Sequence, residues 1–256
     1  PLDLSRYFVI IPDMVGFGGS SKPSNGMRAR FPNYRYVDMV TSTHGLLTEG
    51  LGLQRLHLVL GLSMGGMLTW MWGEMYPGFM DALVPVATQP APMSGRNWIQ
   101  RRVTIEAIRN DPGWNGGDYE TPPSHWVRTA PYSALMTQSV VRIQETAPTR
   151  AEGDAYYQTL VDRARKADAN DRLYQVEASM DYDPSADLEK IRARLFAINF
   201  ADDELTPPEL GVVEPALARI PGAKHVLIPA GETYGHYSTL HARIWAPYLG
   251  EFLSEL

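Results

Sequence analysis

The serine best placed for chemistry sits in Gly61-Leu62-Ser63-Met64-Gly65. A short apolar run, Leu56-His57-Leu58-Val59-Leu60, leads into it, and Met67, Leu68, Met71 and Met75 follow at helical spacing. The pattern predicts strand, sharp turn and helix, with G-x-S-x-G at the turn. A G-x-S-x-G match alone is common, and the flanking strand and helix are what favour a nucleophile. At the apex of so tight a turn a serine adopts strained backbone angles and stands clear of the sheet. Glycines are expected two positions before and after it, where side chains would collide with the turn. The next N–H, that of Met64, opens the helix and points at any oxyanion forming beside Ser63.

A serine nucleophile needs a base to take its proton and an acid to hold that base in the right tautomer. Both belong on loops at the C-terminal edge of the same sheet. After the apolar run Leu195–Phe200 comes Ala201-Asp202-Asp203-Glu204-Leu205-Thr206-Pro207-Pro208, and after His225–Ile228 comes Gly235-His236. Of six histidines, only His236 directly follows a predicted strand and precedes the closing helix. His241, expected within that helix, is the runner-up. The spacing Asp203-x-Leu205-x-Pro207 favours Asp203 as the orienting acid, with Asp202 facing water. An acidic helix N-terminus is the bland alternative for this loop.

The elements that must position these groups read as an α/β chain. Its 256 residues, 44% hydrophobic and 20% charged, suffice for a large core, and a net charge of −6 argues against an electrostatic grip on nucleic acid or anionic membrane. No run has the length of a membrane span. Cysteine is absent, which excludes disulfides, thiolate metal sites and a cysteine nucleophile. No cofactor or metal is called for, and the compartment stays open. Tyr7–Ile11 reads as a strand buried on both faces. Gly16–Ser21 lacks the Lys-Ser/Thr of a P-loop and the third glycine of a dinucleotide fingerprint, so it reads as a turn ordered by Asp13. A helix is expected from Tyr36, with His44 a solvated surface residue and His57 structural. Ala82–Ala87 reads as a strand despite Pro85. Between Gln89 and Asp183 no parallel-strand run occurs, and segments such as Trp98–Ile108 and Tyr156–Lys166 look helical. Arg96, Arg101 and Arg102 read as a solvated helix face. The α/β rhythm then returns. The predicted organisation is a first core part (residues 1–88), a helical lid (89–183) and a second core part (184–256).

Over nearly its whole length the chain resembles the α/β-hydrolase superfamily, and more narrowly its homoserine O-acetyltransferase-like (MetX-like) branch. The resemblance is carried by Gly61–Met67, Trp72 and Tyr76-Pro77, Asp111-Pro112-x-Trp114-x-Gly116-Gly117-x-Tyr119, Asp203-x-Leu205-x-Pro207-Pro208, and Gly235-His236. It implies a mostly parallel sheet flanked by helices with an inserted helical lid, Ser63, Asp203 and His236 as a triad, and a covalent acyl-enzyme. The order Ser…Asp…His is the one this superfamily uses. The resemblance also implies strands and an oxyanion loop ahead of Tyr7–Ile11, so the expectation is that the N-terminal strands are missing from this sequence. Met64 N–H is then the one oxyanion donor present, and one lost donor typically costs about 10²–10³ in kcat.

Two departures bear on substrate. Acetyltransferases of this branch carry Asp after Gly-His, where this chain has Tyr237. Their lid segment Ala-Arg…His-x-Thr-Tyr is here Val127-Arg128-Thr129-Ala130-Pro131-Tyr132, which keeps the arginine alone. The expected activity is serine-dependent hydrolysis of carboxylic esters, with Arg128, Tyr132, Trp98 and Trp126 as candidate substrate contacts. An acetyl-CoA-dependent acyltransferase and a non-catalytic binding protein of the same fold are the rivals. The expected partner is a small-molecule ester or acyl compound, with a homodimer left open.

Overall fold

In the computed structural model, which describes residues 1–256, four apolar runs become one parallel sheet: β1 (Leu56–Leu62), β2 (Met80–Val86), β3 (Arg194–Phe200) and β4 (Lys224–Ile228), in that spatial order. Parallel strands covered on both faces read as near-continuous hydrophobic runs rather than alternating ones, as β2 and β3 do. Ala82, Val84 and Val86 point to one face, where they pack with Trp245, Leu249 and Phe252 of the closing helix Ala242–Ser254. On the other face Leu83 meets Gly73 in the helix Met64–Met75, where an added Cβ would lie 2.5 Å from Leu83 Cδ1. Helix, sheet and helix thus form three layers. Pro85 sits inside β2 without breaking it. The β2–β3 register runs Ala82↔Arg194 and Leu83↔Leu195, then resumes at Val86↔Ile198, so the pairing skips the residue that has no N–H to give.

Ten α-helices complete the chain: α1 (Tyr36–Gly45), α2 (Met64–Met75), α3 (Gly95–Arg109), α4 (Ser124–Thr129), α5 (Pro131–Thr137), α6 (Val140–Thr146), α7 (Arg150–Lys166), α8 (Ala169–Glu177), α9 (Val213–Leu217) and α10 (Ala242–Ser254). Contacts group them into two units. The sheet unit comprises Pro1–Pro12, Val40–Pro92 and Tyr182–Leu256, and the helical unit Asp13–Met39 and Met93–Asp181. The helical unit has its own core, in which Ile105 and Ile108 of α3, Trp126 and Val127 of α4, Val161 of α7 and Leu173 of α8 are all buried.

The D-P-x-W-x-G-G-x-Y segment is a staple inside that helical unit. The Asp111 carboxylate accepts N–H bonds from Gly113 and His125, each at 2.7 Å. Trp114 Nε1 donates to Asn170 Oδ1 at 2.8 Å, and Asn170 Nδ2 donates to the Gly117 carbonyl at 2.9 Å. Tyr119 Oη accepts the Ala169 N–H and donates to Asp168 Oδ2 at the start of α8. Asn115 and Gly116 both take left-handed backbone angles to make the turn. Asp13 behaves as its sequence context predicts, accepting the Gly19 N–H at 2.8 Å.

Three sequence expectations need correction. Tyr7–Ile11 is not a strand. It pairs with none of the four, and Phe8 and Ile11 are 81% and 88% exposed. Apolar character asked for burial, but the sheet ends at β1 and β4, and this segment adds to neither edge. The Tyr7 ring stacks on His57 at 5.7 Å, and Ile10 is partly buried. His44 is not a free surface residue. Its ring stacks face to face on Tyr76 at 3.8 Å and lies 4.8 Å from that of Phe79, aromatic partners supplied by α2 and the turn after it. Arg101 is not solvated either: its guanidinium donates to Asn97 Oδ1 and Ser179 Oγ. Arg102, beside it, is exposed and pairs with Glu106, as a solvated face would.

Candidate active site

Ser63 occupies the turn between β1 and α2 with φ 54° and ψ −115°, a conformation that L side chains rarely adopt. Neighbouring backbone makes that strain tolerable. Ser63 N–H donates to the Val86 carbonyl at 2.8 Å, and its own carbonyl accepts the Met67 N–H at 3.0 Å. An added Cβ at Gly61 would stand 2.0 Å from the Gly65 carbonyl oxygen, and one at Gly66 would stand 2.7 Å from Thr88 Cγ2. At Gly65 it would meet nothing within 4 Å. The expectation that both pattern glycines are sterically required is therefore corrected: Gly61 and Gly66 are the positions where a side chain does not fit. Met64 is the first residue of α2, so its N–H has no intrahelical partner and stands at the positive end of the helix dipole.

The loops after β3 and β4 bring two more groups to Ser63. His236 Nε2 lies 2.6 Å from Ser63 Oγ, and His236 Nδ1 lies 2.7 Å from Asp203 Oδ2. An ionised carboxylate can only accept, so Nδ1 carries the hydrogen and Nε2 is left to accept from the serine hydroxyl. Asp203 is 1% exposed. Burial works to raise its carboxyl pKa, but the charge and hydrogen bond of His236, the Thr206 hydroxyl and the Leu205 N–H together outweigh it and hold the group below the ordinary aspartate value. Oδ2 also accepts from Thr206 Oγ1 at 2.7 Å, and Oδ1 from Leu205 N–H at 2.9 Å, so the acid is fixed by its own loop as well as by the histidine. His236 is buried, and its carbonyl accepts from Thr239 Oγ1 at 2.9 Å.

The sequence suggested that Asp202 faces water, and in the structure it does so only in part. Its Oδ2 accepts the Gly235 N–H at 3.0 Å, and its Oδ1 is buried without a partner. Nothing in the local sequence signals this, because the donor comes from a loop a full strand later. His241, the alternative base, caps α10 and stacks on Tyr234 at 3.9 Å.

The four candidate substrate contacts all belong to the helical unit, and their surroundings differ. Trp126 is 4% exposed within that unit's core, and Trp98 is half-buried on α3. Arg128 and Tyr132 line a mostly apolar cavity of about 550 Å³ with Leu135, Ile143, Tyr157 and Leu160.

A serine at a strand-to-helix turn, with an acid and a histidine on loops beyond the C-terminal ends of a parallel sheet, has the geometry of an α/β-hydrolase site. The model of the α/β-hydrolase fold family matches residues 1–237, and the chain belongs to that family. Within it the relatives fall in the MetX-like branch. The chain is 31% identical to a homoserine O-acetyltransferase of Haemophilus influenzae over 244 residues, which cover 89% of this chain and 63% of that protein. It is 38% identical to an ethyl acetate hydrolase of Pseudomonas veronii over 124 residues, covering 47% of this chain and 35% of the relative. The chain thus spans less than two thirds of the length of either protein. Among solved structures, an acetylester hydrolase from Corynebacterium glutamicum superposes with a TM-score of 0.79 at 23% identity, covering 95% of this chain and 74% of that one. Both hydrolases and acyltransferases are among the relatives of this α/β-hydrolase-family chain.

Proposed function

We propose that the protein is a serine-dependent hydrolase of carboxylic esters that works through an acyl-enzyme. One observation carries the reading: the hydrogen-bonded series Ser63 Oγ, His236 Nε2, His236 Nδ1, Asp203 Oδ2, with its two contacts at 2.6 and 2.7 Å. Ser63 Oγ attacks the ester carbonyl carbon while its proton passes to His236 Nε2, and the Asp203 carboxylate stabilises the imidazolium that results. The carbonyl electron pair moves onto oxygen, where Met64 N–H donates to it. Collapse of the tetrahedral intermediate expels the alcohol, which takes the proton from Nε2 and leaves Ser63 acylated. Water then enters by the same route, giving its proton to His236, and the acid departs as the serine is restored.

An acyltransferase would use the same first half-reaction and differ in the second, where an alcohol replaces water. The 31% identity to a homoserine O-acetyltransferase supports that alternative. Tyr237 after Gly235-His236, and a lid segment that keeps only Arg128, support water as the acceptor.

The two are separated by supplying p-nitrophenyl acetate and, separately, acetyl-CoA, each with and without L-homoserine. Ester turnover that ignores homoserine and vanishes in Ser63→Ala is the expected result. Acetyl-CoA consumption that requires homoserine would overturn hydrolysis in favour of transfer.

A further inference from the structure

Two adjacent acids reach the histidine loop at two adjacent points. Asp203 accepts the ring N–H of His236, and Asp202 accepts the backbone N–H of Gly235, the residue before it, at 3.0 Å. Gly235 takes φ 61°, so the chain reverses locally just ahead of the imidazole. On the other side of the histidine the loop is tied to itself. Ser238 Oγ accepts the Tyr234 N–H at 2.8 Å, and Ser238 N–H donates to the Gly235 carbonyl at 3.0 Å. The Asp203–His236 and Asp202–Gly235 bonds both run between this turn and the loop after β3.

The cost of the arrangement is visible. Asp202 Oδ1 is buried with no hydrogen-bond partner, and such an oxygen loses the hydration it has in the unfolded chain.

We infer that Asp202 is a positioning residue for His236, clamping the Gly235 peptide so that the imidazole holds its place between Ser63 and Asp203. The Asp203 bond fixes which nitrogen faces the acid, but a ring held at one end still pivots about it. Fixing the preceding peptide removes that freedom. This inference rests on the proposed role of His236 as base, and it adds a residue that touches neither the substrate nor the reacting atoms.

The test compares Asp202→Asn, which keeps an acceptor oxygen for Gly235 N–H, with Asp202→Ala, which has none. Ester kinetics should show kcat lowered about 10- to 100-fold in the alanine variant, since a misplacement of about 1 Å costs about 10²-fold. KM should stay within about twofold, and asparagine should restore most of kcat. The second readout is the deshielded Nδ1 proton of His236 by NMR, which needs no turnover. It should stay sharp in wild type and Asp202→Asn, and broaden by exchange in Asp202→Ala. Wild-type kcat and a sharp resonance in a folded Asp202→Ala would overturn the inference, as would loss of kcat in step with loss of folded protein in both variants. Should Asp202→Ala not fold, Asp202→Thr replaces it, its hydroxyl too short to reach Gly235 N–H, with the same outcomes expected. If the wild type turns over no ester, the hydrolase reading fails on its own while the resonance still decides the clamp.

Discussion

The turn that presents Ser63 makes a prediction that separates two glycines the G-x-S-x-G pattern treats alike. In Gly61→Ala the new Cβ would lie 2.0 Å from the Gly65 carbonyl oxygen and 2.4 Å from Thr69 Oγ1. Non-bonded heavy atoms settle at about 3.5 Å, so the shortfall against the carbonyl is about 1.5 Å. A threonine hydroxyl can rotate away. A helix carbonyl cannot, so β1 and the first turn of α2 must separate. Overpacking by one carbon costs about 1–3 kcal/mol where side chains can yield, and a backbone clash belongs at the top of that range, about 3 kcal/mol. For a chain of this size each kcal/mol shifts Tm by roughly 2–4 °C, giving a loss of roughly 6–12 °C. Gly65→Ala meets nothing within 4 Å and sits in the first turn of α2. Alanine exceeds glycine by up to about 1 kcal/mol in helix propensity, so Tm should hold or rise by roughly 2–4 °C. Calorimetry on the two variants, with fluorophosphonate labelling of Ser63 to report the nucleophile, decides it. Equal damage from both, or a Gly61→Ala with wild-type Tm, would refute the reasoning.

Two further outcomes follow from groups away from the serine. Glu74 on α2 has a buried Oε1 without a partner, and its pKa is pushed up to about 8, first by burial and then by Asp187. The folded chain therefore keeps a proton that the unfolded chain releases near the ordinary glutamate value, so this group's contribution to stability declines as pH rises between that value and about 8. Glu74→Gln mimics the protonated acid. It should match wild type at pH 4 and exceed it at pH 9 by about 1–2 kcal/mol, a figure reduced because solvent screens a partly exposed group; chemical denaturation at the two pH values checks this. In the helical unit, Tyr119→Phe removes the hydroxyl that joins the Ala169 N–H to Asp168. It should destabilise α8 by about 1–3 kcal/mol, read as faster amide exchange there with β1–β4 unchanged.

How far the sequence reveals this protein depends on how far apart the interacting residues are. Ser63 was legible because strand, glycine, serine and helix are consecutive. His236 and Asp203 were legible because each lies just beyond an apolar run. The properties that sequence did not yield all need a partner from elsewhere. Asp202 finds its donor beyond β4, and His44 finds its ring partners on α2 and the turn after it. Gly66 is constrained by Thr88 at the end of β2, whereas Gly65, inside the pattern, is not constrained by anything across the turn. Tyr7–Ile11 shows the converse. Its composition states that it is apolar, but which strand edge would receive it is a tertiary fact. The D-P-x-W-x-G-G-x-Y segment was recognisable as a motif while its role was not, since Asn170 and Asp168 complete it from about fifty residues downstream.

The helical segment entered after β2 and left before β3 also has a consequence for how the chain is made. Closing a loop of about one hundred residues rather than about ten costs only about 2 kcal/mol more in chain entropy, so the long excursion weighs little on β2–β3 pairing once synthesis is complete. The order of events is another matter. During synthesis the serine, its strand and its helix emerge early, and the carboxylate and imidazole follow well over a hundred residues later. On the proposed mechanism the serine therefore precedes its base, and acylation waits until the loop after β4 has been made.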